Sequence, residues 1–272
     1  MTKFDSNLAW REASTAVSAN RDVVLVLAGV FFMLPSLALE LIFPQPEQQA
    51  GMAEAEVMAM VKDYYLSILP VMIPLALFQL LGTLSLLTLL TDRSRPTVGE
   101  AIKAGAGGLI PYFLAQLILG LGLGLFGTLV LGVSGLTGVA ALVAIGAAIV
   151  IALAVFLFIR TSLAGPVIAI EGERNPVEAL KRSWRLVEGN TARIGVFVLL
   201  VFVAFMIVLI IASALIGIVF ALLAGPEATR IAGAVVAALI SAVMALYFVA
   251  IWAAIHRQLA GPGDRVITET FE

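Results

Sequence analysis

The sequence predicts an all-α fold, one polytopic bundle of six transmembrane helices. Three observations predict it: a large apolar excess, six apolar runs of spanning length, and Lys and Arg gathered on one side of those runs. Of the 272 residues, 61% are hydrophobic and only 12% are charged, with a mean hydropathy of +1.09. A soluble domain carries about 25% charged residues and is about half apolar. The apolar runs leave no stretch long enough for a soluble domain, so 1–272 reads as a single integral membrane domain.

A hydrocarbon core of about 30 Å needs about 20 apolar residues at 1.5 Å rise each. Runs at roughly 22–43, 66–90, 109–133, 139–163, 194–223 and 231–255 meet that requirement. The first is too long for the apolar core of a cleaved signal, about 7 to 15 residues, and is therefore expected to remain as a span. If the N-terminus lies inside, fourteen of the 16 Lys and Arg fall on the inner side and only Lys62 and Arg230 lie outside. The positive-inside rule then gives a multi-pass protein of a bacterial inner membrane with both termini cytoplasmic.

The segments between the runs differ in character. From Pro44 to Asp63 the outer segment is acidic, with Glu47, Glu54 and Glu56, and it carries apolar Met52, Val57, Met60 and Val61, a pattern for a short surface helix. Pro70 and Pro74 follow inside span two, each removing a backbone donor, and predict a kink. On the inner side, residues 175–188 spell out a helix with its ends marked. Asn175 is the N-cap, Pro176 the first helical residue, Glu178 the acid of a capping box, and Gly189 the stop. Val177, Leu180, Trp184 and Val187 form an apolar face and Glu178, Lys181, Arg182 and Arg185 a charged one, which describes an interfacial helix with Trp184 at headgroup depth.

A second such helix is expected at about 97–108, where Thr97 and Glu100 read as a capping box and Glu100-Ala-Ile-Lys103 parallels Glu178-Ala-Leu-Lys181. Glu12-Ala13, before span one, suggests a third copy, and the chain then reads as repeats of an interfacial helix followed by a transmembrane hairpin.

The stretch from Arg160 through Ala164-Gly-Pro-Val-Ile-Ala-Ile-Glu171 to Asn175-Pro-Val-Glu-Ala-Leu-Lys-Arg-Ser-Trp-Arg-Leu-Val-Glu-Gly189 resembles the signature of the glycerophosphoryl diester phosphodiesterase membrane-domain family. The resemblance implies six helices in a bacterial inner membrane. It implies no hydrolysis here, because the soluble phosphodiesterase domain of the fused relatives, with its metal-binding carboxylates and paired histidines, has no counterpart in this chain. The chain's one histidine is His256, at an inner helix end.

Arg160 is the notable cation. If span four ends at Ile159, it is interfacial; if the apolar run continues to Ile170, it lies inside and needs a carboxylate, a backbone carbonyl or a lipid phosphate as partner. Glu40 and Asp92 read as interfacial. Gln79, Thr83, Ser85, Thr88 and Gln116 are expected to hydrogen-bond between helices, the alternative being that they line a wet path. Small residues recur every fourth position, notably Gly120 and Gly124 in span three, Gly217 in span five and Gly233 in span six, and predict close helix packing. The run Gly105-Ala-Gly-Gly108 lacks the ending of a phosphate loop and reads as flexible backbone.

With no cysteine and one histidine, no metal set and no thiol nucleophile is available, and no cofactor or enzymatic activity is expected. A net charge of -2 gives no reason to expect nucleic acid. The leading reading is a non-enzymatic membrane protein engaging lipids, anionic ones in particular, or a membrane partner or second copy. Arg160, Lys181, Arg182, Trp184 and Arg185 are its candidate binding residues. The alternative is a transporter of small solutes or lipids.

Overall fold

In the computed structural model the described residues are 3–46, 51–91, 96–223 and 225–261. Glu47, Asp92, Arg93, Arg95 and Arg265 lie outside them. Among the described residues every regular element is helical, and six helical stretches are long and apolar enough to cross a membrane. The protein is a multi-pass all-α membrane bundle.

The chain begins with α1 (Ser6–Ala19). Span one is α2 (Arg21–Ala28) and α3 (Leu34–Ile42), joined through a π-helical turn at Gly29–Met33. Span two is α4 (Glu54–Thr91), which runs through Pro70 and Pro74 without leaving helical structure. The outer surface helix expected before it is simply the first turns of α4. Span three is α5 (Val98–Leu136), and it absorbs the second interfacial helix expected at 97–108. The Thr97–Glu100 capping box is formed, but nothing breaks the helix afterwards. Gly105 and Gly108 are helical, and their missing side chains admit Ser85 and Ile168.

Span four, α6 (Ala140–Thr161), ends in a turn followed by α7 (Ala164–Pro166) and a second π-helical turn at Val167–Glu171. Then come α8 (Pro176–Val187), α9 (Thr191–Leu223) and α10 (Gly225–Ala260). The last of these is the central helix. Its buried side runs Ala234, Ala238, Ala242, Leu246, Ala250, one position along from the stripe expected at Gly233.

Three copies of one unit are visible at the basic end. Asp5, Thr97 and Asn175 each cap a helix with a side-chain oxygen. Four residues on, Ala9, Ala101 and Ala179 are completely buried; eight on stand Ala13, Gly105 and Ser183, all buried. In the first and third copies the break into the span is also the same. The backbone N–H groups of Asn20 and Asn190 donate to Val17 and Val187, and their carbonyls accept from Val24 and Ile194. The first copy therefore starts at Asp5, and the Glu12-Ala13 register is four residues late. Each end helix packs on the hairpin before it: α5 begins against α4, α8 lies on α5 and α6, and α1 closes the ring on α9 and α10.

Two packing expectations are corrected. A Cβ added at Gly120, Gly124, Gly217 or Gly233 would meet nothing within 4 Å, so these four glycines do not bring helices of this chain together. The hydroxyls of Thr83, Ser85 and Thr88 donate to carbonyls four residues back on their own helix, and Gln116 donates to Tyr112 of the same helix. Short hydroxyl side chains satisfy themselves locally before they can reach a neighbour.

A Cβ at Gly105 would fall 2.8 Å from the Ser85 hydroxyl and 2.9 Å from its backbone nitrogen. Gly105→Ala is therefore expected to destabilise the fold by about 1–3 kcal/mol, and Gly120→Ala to change it by less than about 0.5 kcal/mol. Unfolding in mild detergent followed by circular dichroism measures both, and equal effects would contradict this packing.

Candidate functional site

The site is built where α8 lies across the end of α6. Asn175 starts α8 by accepting from the Val177 and Glu178 N–H groups, and Pro176 needs no donor in the first turn. Packed inward are the small residues Ala179 and Ser183, with Val187. The apolar face read from Val177, Leu180, Trp184 and Val187 is divided: Val187 is buried with Ala179 and Ser183, Val177 is exposed, and Leu180 and Trp184 are half-buried. Large apolar side chains at a membrane interface gain as much from lipid as from the core, whereas only small ones allow close backbone approach.

Ser183 is the clamp. Its hydroxyl donates to the Arg160 carbonyl at 3.0 Å and accepts from the Leu163 N–H at 3.0 Å, so the loosened end of α6 is tied to α8 at both sides of its turn. Arg160 reaches under α8 and donates from Nη1 to the Trp184 carbonyl at 3.2 Å. Its guanidinium carbon lies 4.3 Å from the centroid of the Trp184 ring. Phe156 meets Trp184 edge-on at 5.6 Å. A cation against an indole face contributes about 0.5–2 kcal/mol, more where water is excluded. Arg160 therefore takes the backbone-carbonyl partner, supplemented by an aromatic ring. Its Nε is buried and makes no hydrogen bond, and no carboxylate among the described residues pairs with it.

Beside this stack lies an open-sided cleft of about 550 Å³, lined by Leu119, Leu157, Thr161, Glu178, Leu180, Lys181, Trp184 and Arg185. Volumes of about 300–1,000 Å³ are usual for small-molecule sites. Lys181 pairs with Glu178 at 2.8 Å and holds its carboxyl below the usual carboxylate range. Arg185 is exposed and has no ion-pair partner among the described residues. Around the cleft one cation is neutralised while Arg185 and Arg160 are not.

Of the five candidate binding residues, the structure brings Arg160, Lys181, Trp184 and Arg185 together. Arg182 points away, its Nε 3.1 Å from Glu171, whose other oxygen lies 2.9 Å from Nε2 of buried His256. That Glu171 group joins the π-helical turn, α8 and α10, and it escaped the sequence reading because its partners are far apart in the chain. Leu119 and Glu178 were missed as lining residues. Leu157 and Thr161 could have been found, since they stand four apart on one face of α6 on either side of Arg160 in the chain. A smaller cavity of about 70 Å³ lies among Thr83, Tyr112, Gln116, Thr161 and Ser162, large enough for a water or two. Among the described residues no three His, Asp or Glu side chains converge on a point that could hold a metal.

Ser183→Ala leaves the buried Leu163 N–H without an acceptor and is expected to destabilise the fold by about 1–3 kcal/mol. Ser162→Ala, whose hydroxyl bonds only within its own turn, is the matched control in the same detergent melt.

No curated protein and no solved structure matches this chain. A family profile described as Domain of unknown function (DUF7847) matches residues 9–259, from the first turn of α1 to the last of α10. The chain belongs to that family, DUF7847.

Proposed function

We propose that this is a non-enzymatic protein of a bacterial inner membrane that engages lipids or a membrane partner at its cytoplasmic face, with α8 as the engaging element. The observation that carries this reading is the cleft under α8. An amphipathic helix is fixed by Ser183 and Arg160, carries Trp184 at its edge, and offers Lys181 and Arg185 beside an apolar wall. Basic side chains near an anionic leaflet are worth about 1 kcal/mol each. The placement of fourteen of the 16 Lys and Arg on one side supports the orientation, with both termini inside. The resemblance of residues 160–189 to the glycerophosphoryl diester phosphodiesterase membrane-domain family supports the location, and the missing carboxylate and histidine set supports a role other than hydrolysis.

A transporter is the second reading, and the small polar cavity beneath the cleft favours it. Thr161 lines both spaces. Transporters usually place ionisable groups and broken helices near the midplane, whereas Thr83 and Gln116 are neutral. Flux of solutes or labelled lipids in proteoliposomes would move this reading to first place.

Native mass spectrometry of the purified protein, with the retained lipids identified, tests the main reading. Anionic lipid is expected to remain bound, and Lys181→Gln with Arg185→Gln is expected to weaken that preference. Protein that emerges free of lipid and partner would refute the proposal. Protease-accessible tags on the periplasmic side at either end would overturn the orientation.

A further inference from the structure

We infer that the cleft under α8 is an acyl-chain site for a single anionic glycerophospholipid, with the phosphate held at Arg185 and Lys181. The inference rests on the lipid reading above and specifies its ligand.

The repeat supplies the argument. The first and third units use the same scaffold, an end helix laid on a hairpin: α1 on α9 and α10, α8 on α5 and α6. On α1 the groove is filled from within. Trp10 stacks on Tyr247 at 5.5 Å, and Tyr247 meets Phe205 at 5.9 Å. A second ring pair, Phe4 on Phe197 at 5.6 Å, stands at the start of the helix. Counted from the caps, Trp10 of α1 corresponds to Leu180 of α8, Phe205 to Gly127, and Phe197 to Leu119. The repeated Leu163-Ala-Gly-Pro166 and Leu259-Ala-Gly-Pro262 pair Tyr247 with Ile151. At all four positions the hairpin and end helix of the α8 side have the smaller side chain; Leu180 and Leu119 line the open cleft, whereas Gly127 is buried against Val150 and Ile151 is exposed. Where Trp10 and Phe197 fill the α1 copy with rings, Leu180 and Leu119 leave the α8 copy open.

Charge selects the occupant. Glu178 neutralises Lys181, but Arg185 is unpaired among the described residues, and beneath Trp184 the guanidinium of Arg160 has a buried Nε without a partner and no neighbouring carboxylate. A cation this poorly compensated favours a nearby anion. The walls Leu119, Leu157 and Leu180 favour a hydrocarbon chain, and the cleft is open on one side. An anion with an apolar tail, entering from the bilayer, satisfies both halves of the cleft.

The test reconstitutes the full chain in equal phosphatidylcholine and phosphatidylglycerol, then counts retained lipid by native mass spectrometry. Wild type is expected to keep one lipid, enriched in phosphatidylglycerol. Leu180→Trp, which copies Trp10, is expected to lose it, and Leu157→Trp is a second plug should the first misfold. Arg185→Gln should reduce the phosphatidylglycerol preference by about fivefold while a lipid is still retained. Lysophosphatidylglycerol should displace the lipid and inorganic phosphate should not. If folded plug variants keep their lipid, or phosphate displaces it as well, the acyl-chain site is overturned, while a surviving effect of Arg185→Gln leaves headgroup engagement standing. If Arg185→Gln also has no effect, both fall.

Discussion

Close approach of backbones at the basic end is the constraint on which the remainder depends. Between helices in lipid the hydrophobic drive is absent, so contact must come from small residues and satisfied polar groups. Ala13, Gly105 and Ser183 occupy the same step of the three end helices and are the points where each meets the bundle. Ser183 adds what alanine and glycine lack, a hydroxyl that satisfies the freed Leu163 N–H where α6 gives way. The position of Arg160, and with it the cleft, follows from that one side chain.

The spans were legible because length and hydropathy are local properties, and the caps because an Asn, Asp or Thr side chain needs only its own first turn. Facing was not. Val177, Leu180, Trp184 and Val187 read as one apolar face, yet of these only Val187 is buried, and the face that meets the bundle is the small one, Ala179 and Ser183. The stripe containing Gly233 missed its buried neighbour by one residue for the same reason: spacing identifies a stripe but not which of two adjacent stripes meets a helix. Arg160 was recognisable as a cation needing a partner. Its partner was not, since a carbonyl and a ring on α8 carry no sequence mark. The pairing of Glu171 with His256 spans 85 residues, and nothing local announces it.

Divergence among the copies is as informative as their likeness. The aligned Leu-Ala-Gly-Pro segments place Arg160 of α6 and His256 of α10 at equivalent points. Arg160 ties down α8, whereas His256 is buried against Glu171, and the neighbouring Arg257 and Gln258 reach α1 through Glu12 and Asp5. One position has become a clamp on the following end helix, and the other has passed that task to its neighbours.

The second unit differs in a mechanical sense. Where Asn20 and Asn190 let α1 and α8 turn away from their spans, α5 continues as a rod of 39 residues, about 58 Å long at 1.5 Å per residue and roughly twice the hydrocarbon thickness. Its end turns stay helically joined to span three, with Pro111 removing one backbone donor at the junction. Any tilt that bilayer thickness imposes on that span reaches Gly105 and Gly108 through this proline joint, and so Ser85 on α4 and Arg174, two residues before α8 begins.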